Sequence, residues 1–342
     1  MKDFNNNYEI IHTFVQNSDK KIHLIKYQHS KILFILKIYS NYQIALYKKL
    51  KKINHPGIPS IYWLEEYNDQ LYIIEQFVNA PTLYDVCDAG KIDEAKALNV
   101  ILQLCQILNF LHSQIPVLIH RDITLKNILY LDHHVYLIDF DISRFYSSTK
   151  NNDTHIFGTR GYLAPEQYGY AQSSIASDIY QLGVIFNLLL TDFFPNEYMH
   201  QGKYAKVISS MLHLDPQKRP KNTLEVMKMI KIIQNKEYRR NKTILNVIIF
   251  ILVSVSIVLI LLCIFIINIL GREPTFLKLL LLIIYSIPTP IYQIDIFNEN
   301  KIFPQQYNNV ENKIHKTFII IMILIFKLRL IIIILILFSS KI

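Results

Sequence analysis

Twenty-eight consecutive residues, Thr243 to Leu270, carry no charged side chain. A helix rises 1.5 Å per residue, so about 20 apolar residues cross the ~30 Å hydrocarbon core of a bilayer. This run therefore predicts a transmembrane helix. The segment before it, Lys236 to Lys242, reads KEYRRNK. Its cations Lys236, Arg239, Arg240 and Lys242 assign that end to the cytoplasm, because positive charge is retained on the inner side. Two more apolar stretches follow. Phe276 to Tyr292 is short, carries Lys278 and is broken at Pro288 and Pro290, so a second span and a re-entrant or interfacial segment are both open. Thr317 to Phe338 is interrupted by Lys327 and Arg329. Each of those charges costs about 2.5–3.5 kcal/mol at mid-bilayer on insertion scales, so they face other helices or a partner unless the segment lies differently.

Composition agrees with a chain of two compartments. Hydrophobic residues make up 51% of the 342, and the excess sits in the last hundred. The net charge of +9 suits an anionic membrane surface. No basic patch is interleaved with aromatics, so nucleic acid is not an expected partner. The three cysteines, Cys87, Cys105 and Cys263, have no paired spacing. They argue against a disulfide framework and a zinc site, and fit a reducing cytoplasm. The N-terminus, MKDFNNNYEI, is polar and does not read as a signal peptide. Residues 1–7 read as a disordered tail, 8–235 as a catalytic domain, 236–242 as a basic juxtamembrane linker and 243–342 as the membrane region. The spans are placed at 243–270, 276–292 and 317–338.

The chemistry concentrates in Ile119 to Asp141, IHRDITLKNILYLDHHVYLIDFD. His120-Arg121-Asp122 stands four residues before Asn127, and an apolar strand then leads into Asp139-Phe140-Asp141. Asp and Asn favour turns, so any one of them alone says little. Together they resemble the HRD-x4-N and D-F-G loops of the protein kinases. Gly158-Thr159-Arg160-Gly161-Tyr162-Leu163-Ala164-Pro165-Glu166 is similar to the family's G-T-x-x-Y-x-A-P-E run. Ser177 to Gly183 and Leu214 to Pro220 match two later helices. The resemblance covers roughly residues 8 to 235. It implies an α+β, two-lobed protein-kinase fold followed by two or three transmembrane helices. It also implies ATP and Mg²⁺ as cofactors and protein substrates as partners. Asp122 would orient the acceptor hydroxyl, and Asn127 and Asp139 would hold the metal. Asp178 would tether the catalytic-loop backbone, and Arg219 would pair with Glu166.

In the small lobe, Tyr8 to Tyr39 alternates apolar and polar residues with strand period. By resemblance Lys37, in FILK, contacts the α- and β-phosphates. By the same resemblance Ile22, Ile35 and Leu129 sandwich the adenine, Leu71 to Phe77 is the last small-lobe strand and the interlobe hinge, and Gln76 to Val78 offer the adenine backbone groups. Two departures stand out. No glycine precedes Gly57, and Val15, Asn17 and Lys20 occupy the positions of the family's glycine-rich loop. Glycine there lets backbone N–H groups approach phosphates closely; Lys20 and Lys21 either compensate by charge or belong to a solvated turn. The helix expected at Asn41 to Ile53 has Leu46 where the family's lysine-pairing glutamate falls. No acidic residue lies between Asp19 and Glu65, so Lys37 is expected to lack its usual ion-pair partner.

A third departure is Asp141 in place of the glycine of D-F-G. Thr124 stands where Ser/Thr kinases carry lysine, and Lys126 where tyrosine kinases often place a basic residue. Thr159 resembles the Ser/Thr branch and decides for a Ser/Thr acceptor. Ile142 to His155 reads as an activation segment with acceptors Ser147, Ser148, Thr149 and Thr154, any of which could dock on Arg121 once phosphorylated. The helix Ile92 to Ser113, capped by Asp93, carries a core stripe rather than a site. The expectation is a multi-pass kinase of a bacterial cell membrane with its catalytic domain in the cytoplasm; a homodimer is compatible with it. The alternatives are a pseudokinase-type scaffold, suggested by the missing glycines and glutamate, and a small-molecule kinase.

Overall fold

The structure, a computed structural model, describes residues 7–28, 30–90, 92–146, 158–169 and 172–270. The chain divides into two compact units, Met1–Asn241 and Lys242–Ile342. Ser147, Ser148, Thr149 and Thr154 lie outside the described residues, as do the second and third apolar stretches.

The first unit begins with an antiparallel sheet of five strands in the order β1-β2-β3-β5-β4. They are β1 (Tyr8–Gln16), β2 (Lys20–Tyr27), β3 (Leu33–Tyr39), β4 (Ile61–Tyr67) and β5 (Gln70–Gln76). Alternate residues point to opposite faces of a strand. One face gathers Ile25, Leu36 and Ile74 with Phe34, Ile38, Trp63 and Tyr72 into a small core of its own. The other delivers Tyr39, Leu71 and Ile73 to the main core. Ile35 and Lys37 belong to that second face by the period of two. The β1–β2 turn closes without glycine, because the Asn17 side chain accepts the N–H groups of Asp19 and Lys20 at 3.0 and 2.7 Å.

Helix α1 (Ile44–Leu50) is shorter than the stretch Asn41 to Ile53 that the sequence suggests. Gln43 makes no side-chain cap bond. Beyond Leu50, Lys52 and Ile53 donate to the carbonyls three residues back at 3.0 Å, a tighter turn than an α-helix. What remains buries Leu46, Tyr47 and Leu50.

The helical part starts with α2 (Leu83–Asp88), capped by Thr82 and Asp85 in a capping box. Helix α3 (Glu94–His112) follows, its first turn capped by the Asp93 carboxylate, which accepts the Lys96 N–H at 2.7 Å. It packs against α4 (Ile175–Thr191), which is buried along most of its length. Between them come β6 (Leu118–Ile119), β7 (Ile128–Leu131), β8 (His134–Leu137) and β9 (Arg144–Phe145), pairing β6 with β9 and β7 with β8. Helix α5 (Ala205–Met211) crosses α4 at Gly183, where a Cβ would stand 2.9 Å from the Met211 Cβ. Only hydrogen fits there.

Helix α6 (Thr223–Leu270) closes the first unit and continues into the second. Its first turns bury Val226 and Ile230, and Thr223 donates its hydroxyl to the Cys105 carbonyl at 2.9 Å. From Ile244 onward its described apolar side chains are mostly exposed, Phe250 by 73%. Among the described residues it is the one helix long and apolar enough to cross a membrane, with a mean hydropathy of 2.0 over its most apolar 18 residues.

Candidate active site

The loop between β6 and β7 is held from beneath by α4. Asp178, fully buried, accepts the backbone N–H of His120 at 3.0 Å and of Arg121 at 2.9 Å, and contacts His112 Nε2 at 2.8 Å. Gln181, one turn on, accepts the Ile123 N–H at 2.9 Å and donates to the Arg121 carbonyl at 2.6 Å. Gln167 donates to the same carbonyl at 2.9 Å. This many bonds can hold Arg121 at φ 74°, a conformation side chains rarely adopt. The Arg121 side chain donates to Ser173 and to the Ile142 carbonyl at 3.2 Å each. It thus reaches the start of the segment that follows Asp141.

The loop presents Asp122 with both carboxylate oxygens engaged. Oδ1 accepts the backbone N–H and the hydroxyl of Thr159 at 3.0 and 2.9 Å. Oδ2 accepts the Asn127 amide at 2.8 Å. Gly158, just before Thr159, has φ +124°, and a Cβ there would meet the Leu163 side chain at 2.6 Å and the Arg121 carbonyl at 3.3 Å, so this backbone path is open to glycine. Asn127 spends a second N–H bond on the Asp122 carbonyl at 2.9 Å, which turns its own carbonyl oxygen the other way. Lys126 is exposed, with its ammonium 5.2 Å from the centre of the Tyr84 ring.

Asp139 has φ 64° at the end of the β7–β8 hairpin. Burial alone would raise its carboxyl. The bond with Asp141 and the ammonium groups of Lys37 and Lys20 outweigh that and hold it well below the usual carboxylate range. Asp141 is pushed the other way, up to about 6, by burial and by the Asp139 charge. It accepts the hydroxyls of Tyr39 at 2.5 Å and Tyr47 at 3.4 Å. Lys20 reaches down from the β1–β2 turn to Asp139 at 2.9 Å and also contacts Asp141. Ionised carboxylate and amide oxygen are hard donors that suit Mg²⁺, and an ammonium already settles on the two carboxylates. Asn127, Asp139 and Asp141 therefore fit a hard cation.

Helix α1 carries no acid for Lys37, as its sequence leads one to expect, and the fold supplies one elsewhere. Lys37 is buried and pairs with Glu75 at 2.7 Å. The acid stands on the neighbouring strand: β3 and β5 pair Ile35 with Glu75 and Lys37 with Ile73. Lys37 and Glu75 are thus diagonal neighbours on one face, a separation that long side chains bridge. Burial would lower the Lys37 ammonium, but Glu75, Asp139 and Asp141 more than offset it, and the net shift is upward. A sequence signal existed, since Glu75 breaks the apolar strand LYIIEQF two residues after the inward Ile73.

A cavity in front of this pair is lined by Lys37, Tyr47, Leu50, Glu75, Asp139 and Phe140, among others. Ile22 pairs directly with Lys37 and so shares its face with Ile35. Leu129 sits in β7, bridged to Thr82. None of these three lines the cavity, nor do Gln76 and Val78. The Gln76 N–H is engaged by the Ser60 carbonyl and the Val78 carbonyl by the Ala80 N–H, both at 2.9 Å. Farther off, Arg219 sets two donors on Glu166 at 2.8 and 2.9 Å, and Ser177 adds a hydroxyl at 2.7 Å.

Comparison with known proteins meets this geometry from outside. A family model described as "Protein kinase domain" matches residues 43–238, more than half of the chain, and leaves β1 to β3 outside the match. A calcium/calmodulin-dependent protein kinase, cmkA of Emericella nidulans, is 31% identical over 200 residues, 50% of this chain and 48% of that protein. The serine/threonine-protein kinase cds1 of Schizosaccharomyces pombe is 29% identical over 231 residues, 61% of this chain and 50% of the other. The serine/threonine-protein kinase PrkC of Bacillus subtilis is 36% identical over 147 residues, 42% of this chain and 22% of its own length. The chain spans half or less of these relatives.

Proposed function

The chain belongs to the protein kinase family, and from that premise we propose that it transfers the γ-phosphoryl group of ATP to serine or threonine hydroxyls of proteins at the inner face of a bacterial membrane. The observation that carries this reading is the setting of Asp122. Its carboxylate is fixed by Thr159 on one oxygen and Asn127 on the other. A substrate hydroxyl would donate to it, be turned toward the phosphorus and release its proton there as the new P–O bond forms. Asn127 and Asp139, with Asp141 beside them, would hold Mg²⁺, which neutralises phosphate charge when bound. Lys37 would hold the α- and β-phosphates, and Lys126 would meet the transferred group or its acceptor. Gln76 and Val78, with Ile22, Ile35 and Leu129, would take the adenine. Glu166, Arg219 and Asp178 act on the chemistry only by fixing the frame.

The serine/threonine kinases among the relatives support the acceptor type. The exposed apolar half of α6 and the cations Lys236, Arg239, Arg240 and Lys242 support the membrane, with the catalytic unit on the cytoplasmic side.

The test uses the full chain in detergent with γ-labelled ATP, Mg²⁺ and a generic basic protein, beside Asp122→Asn and Asp139→Asn. Transfer to serine or threonine that both changes abolish is the expected result. ATP binding without transfer would overturn it in favour of a signalling scaffold. Lys20 on Asp139 and Asp141 is the contact that favours that second reading, because it occupies the carboxylates a metal needs.

A further inference from the structure

Helix α1 offers Lys37 no carboxylate. It reads IALYKKL, and its charged side chains, Lys48 and Lys49, are both cations. Toward the cavity at Lys37 it turns Tyr47 and Leu50 instead. A buried ammonium left without an acid is strongly disfavoured, so its partner has to come from elsewhere. The sheet supplies it.

We propose that Glu75 is the positioning residue for Lys37, so that a strand glutamate does what a helix glutamate does in the wider family. The proposal deepens the kinase reading above and rests on it. Three observations carry it. The 2.7 Å contact joins two side chains that are both largely buried. The diagonal register of β3 on β5 makes the contact a property of the sheet. Glu75 and Lys37 also line one cavity together with Asp139, which sets the pair beside a metal ligand of the proposed site.

A pair carried by a helix breaks when the helix swings, which is how many kinases are switched. Strand register does not swing. In this chain the lysine is aligned whenever the sheet is folded. Helix α1 reaches the site by another route, through the Tyr47 hydroxyl on Asp141 and the stacking of Tyr47 on Tyr39, ring centres 5.6 Å apart. Movement of α1 would therefore be felt at Asp141 and leave the Lys37–Glu75 pair intact.

The experiment compares the full chain in detergent with Glu75→Gln, Glu75→Asp, Lys37→Met and the double change Lys37→Met/Glu75→Gln. Two quantities are read: kcat/KM for ATP, and the Kd for ATP without metal by calorimetry. Misplacing a positioned group by about 1 Å costs up to ~100-fold, so Glu75→Gln is expected to lower kcat/KM for ATP by roughly 10- to 100-fold. It should leave KM for the basic protein unchanged. Glu75→Asp, which keeps the charge, should recover part of the loss. In the Lys37→Met background the same Glu75→Gln change should alter Kd by less than about twofold, because coupled residues are not additive. Equal losses in both backgrounds, or ATP kinetics untouched by Glu75→Gln, would overturn the proposal. A wild-type chain that binds ATP without transferring phosphate would sink the kinase reading alone, and the Kd cycle would still decide the role of Glu75.

Discussion

Lys20 shows how one side chain changes a site. In the sequence it stands where a glycine is expected, and its meaning depends on turn geometry that residue order does not display. Asn17 closes the turn with its own side chain, and Lys20 then reaches Asp139 and Asp141. A cation bound by those carboxylates competes with this ammonium. Lys20→Met should therefore increase the rise in thermal midpoint that saturating Mg²⁺ gives the full chain; an equal rise in both proteins would mean that Lys20 leaves the metal site free. The Arg219–Glu166 pair works differently, since it is buried, bidentate and remote from the chemistry. Breaking a buried pair costs about 3–5 kcal/mol, so Arg219→Ala should lower the midpoint by on the order of 10 °C. Arg219→Lys should rescue little, because lysine cannot make the planar two-point contact. An unchanged midpoint would contradict the contact. This pair is expected from resemblance, because both partners lie in runs similar to the family's. Glu75 stands out as an acid in an apolar strand, but its partner does not, because it meets Lys37 only across a ladder whose register the residue order leaves open.

Among the elements, the long ones were legible and the short ones less so. Helix α3 starts where Asp93 can cap it and runs for 19 residues, close to the stretch that apolar periodicity marks. Helix α1 fell short of its pattern because no side chain caps it and the chain tightens after Leu50. Helix α4 serves as the platform of the site: Asp178 and Gln181, one turn apart, hold the backbone of His120, Arg121 and Ile123. That platform depends on the close approach of α5 at Gly183. Gly183→Val forces atoms into a space where a Cβ already meets the Met211 Cβ at 2.9 Å and the Leu212 side chain at 3.2 Å. Overpacking of this kind costs about 1–3 kcal/mol, and more where backbone must move. The expected outcome is a lower midpoint together with a loss of transfer, since α4 carries the loop anchors. A variant that loses stability but keeps full kcat would show that α4 can shift without disturbing Asp122.

For the whole molecule, the boundary between the two units falls inside α6. The first turns of that helix belong to the catalytic unit. Thr223 bonds to Cys105, Val226 and Ile230 are buried, and Glu237 contacts Lys203, which also meets Glu94 at 2.8 Å. The later turns are apolar and exposed. On the proposed reading one helix answers to two solvents, and the place of a cut decides what is lost. Ending the chain after Asn241 keeps every one of those anchors and removes the uncharged run. That protein should leave the membrane fraction, melt cooperatively and retain kcat within about a factor of three, since the site lies wholly in the first unit. Ending it after Asn222 removes Val226 and Ile230, each worth roughly 1.5–3 kcal/mol of burial, and exposes the faces they cover. That protein should be aggregated or partly unfolded. If the chain ended at Asn241 still sedimented with membranes, the catalytic unit would itself hold a membrane-binding surface, and α6 would not be the anchor. If it were soluble but inactive with ATP still bound, the second unit would be needed for transfer, and the apolar residues from Ile244 onward would be the next to change.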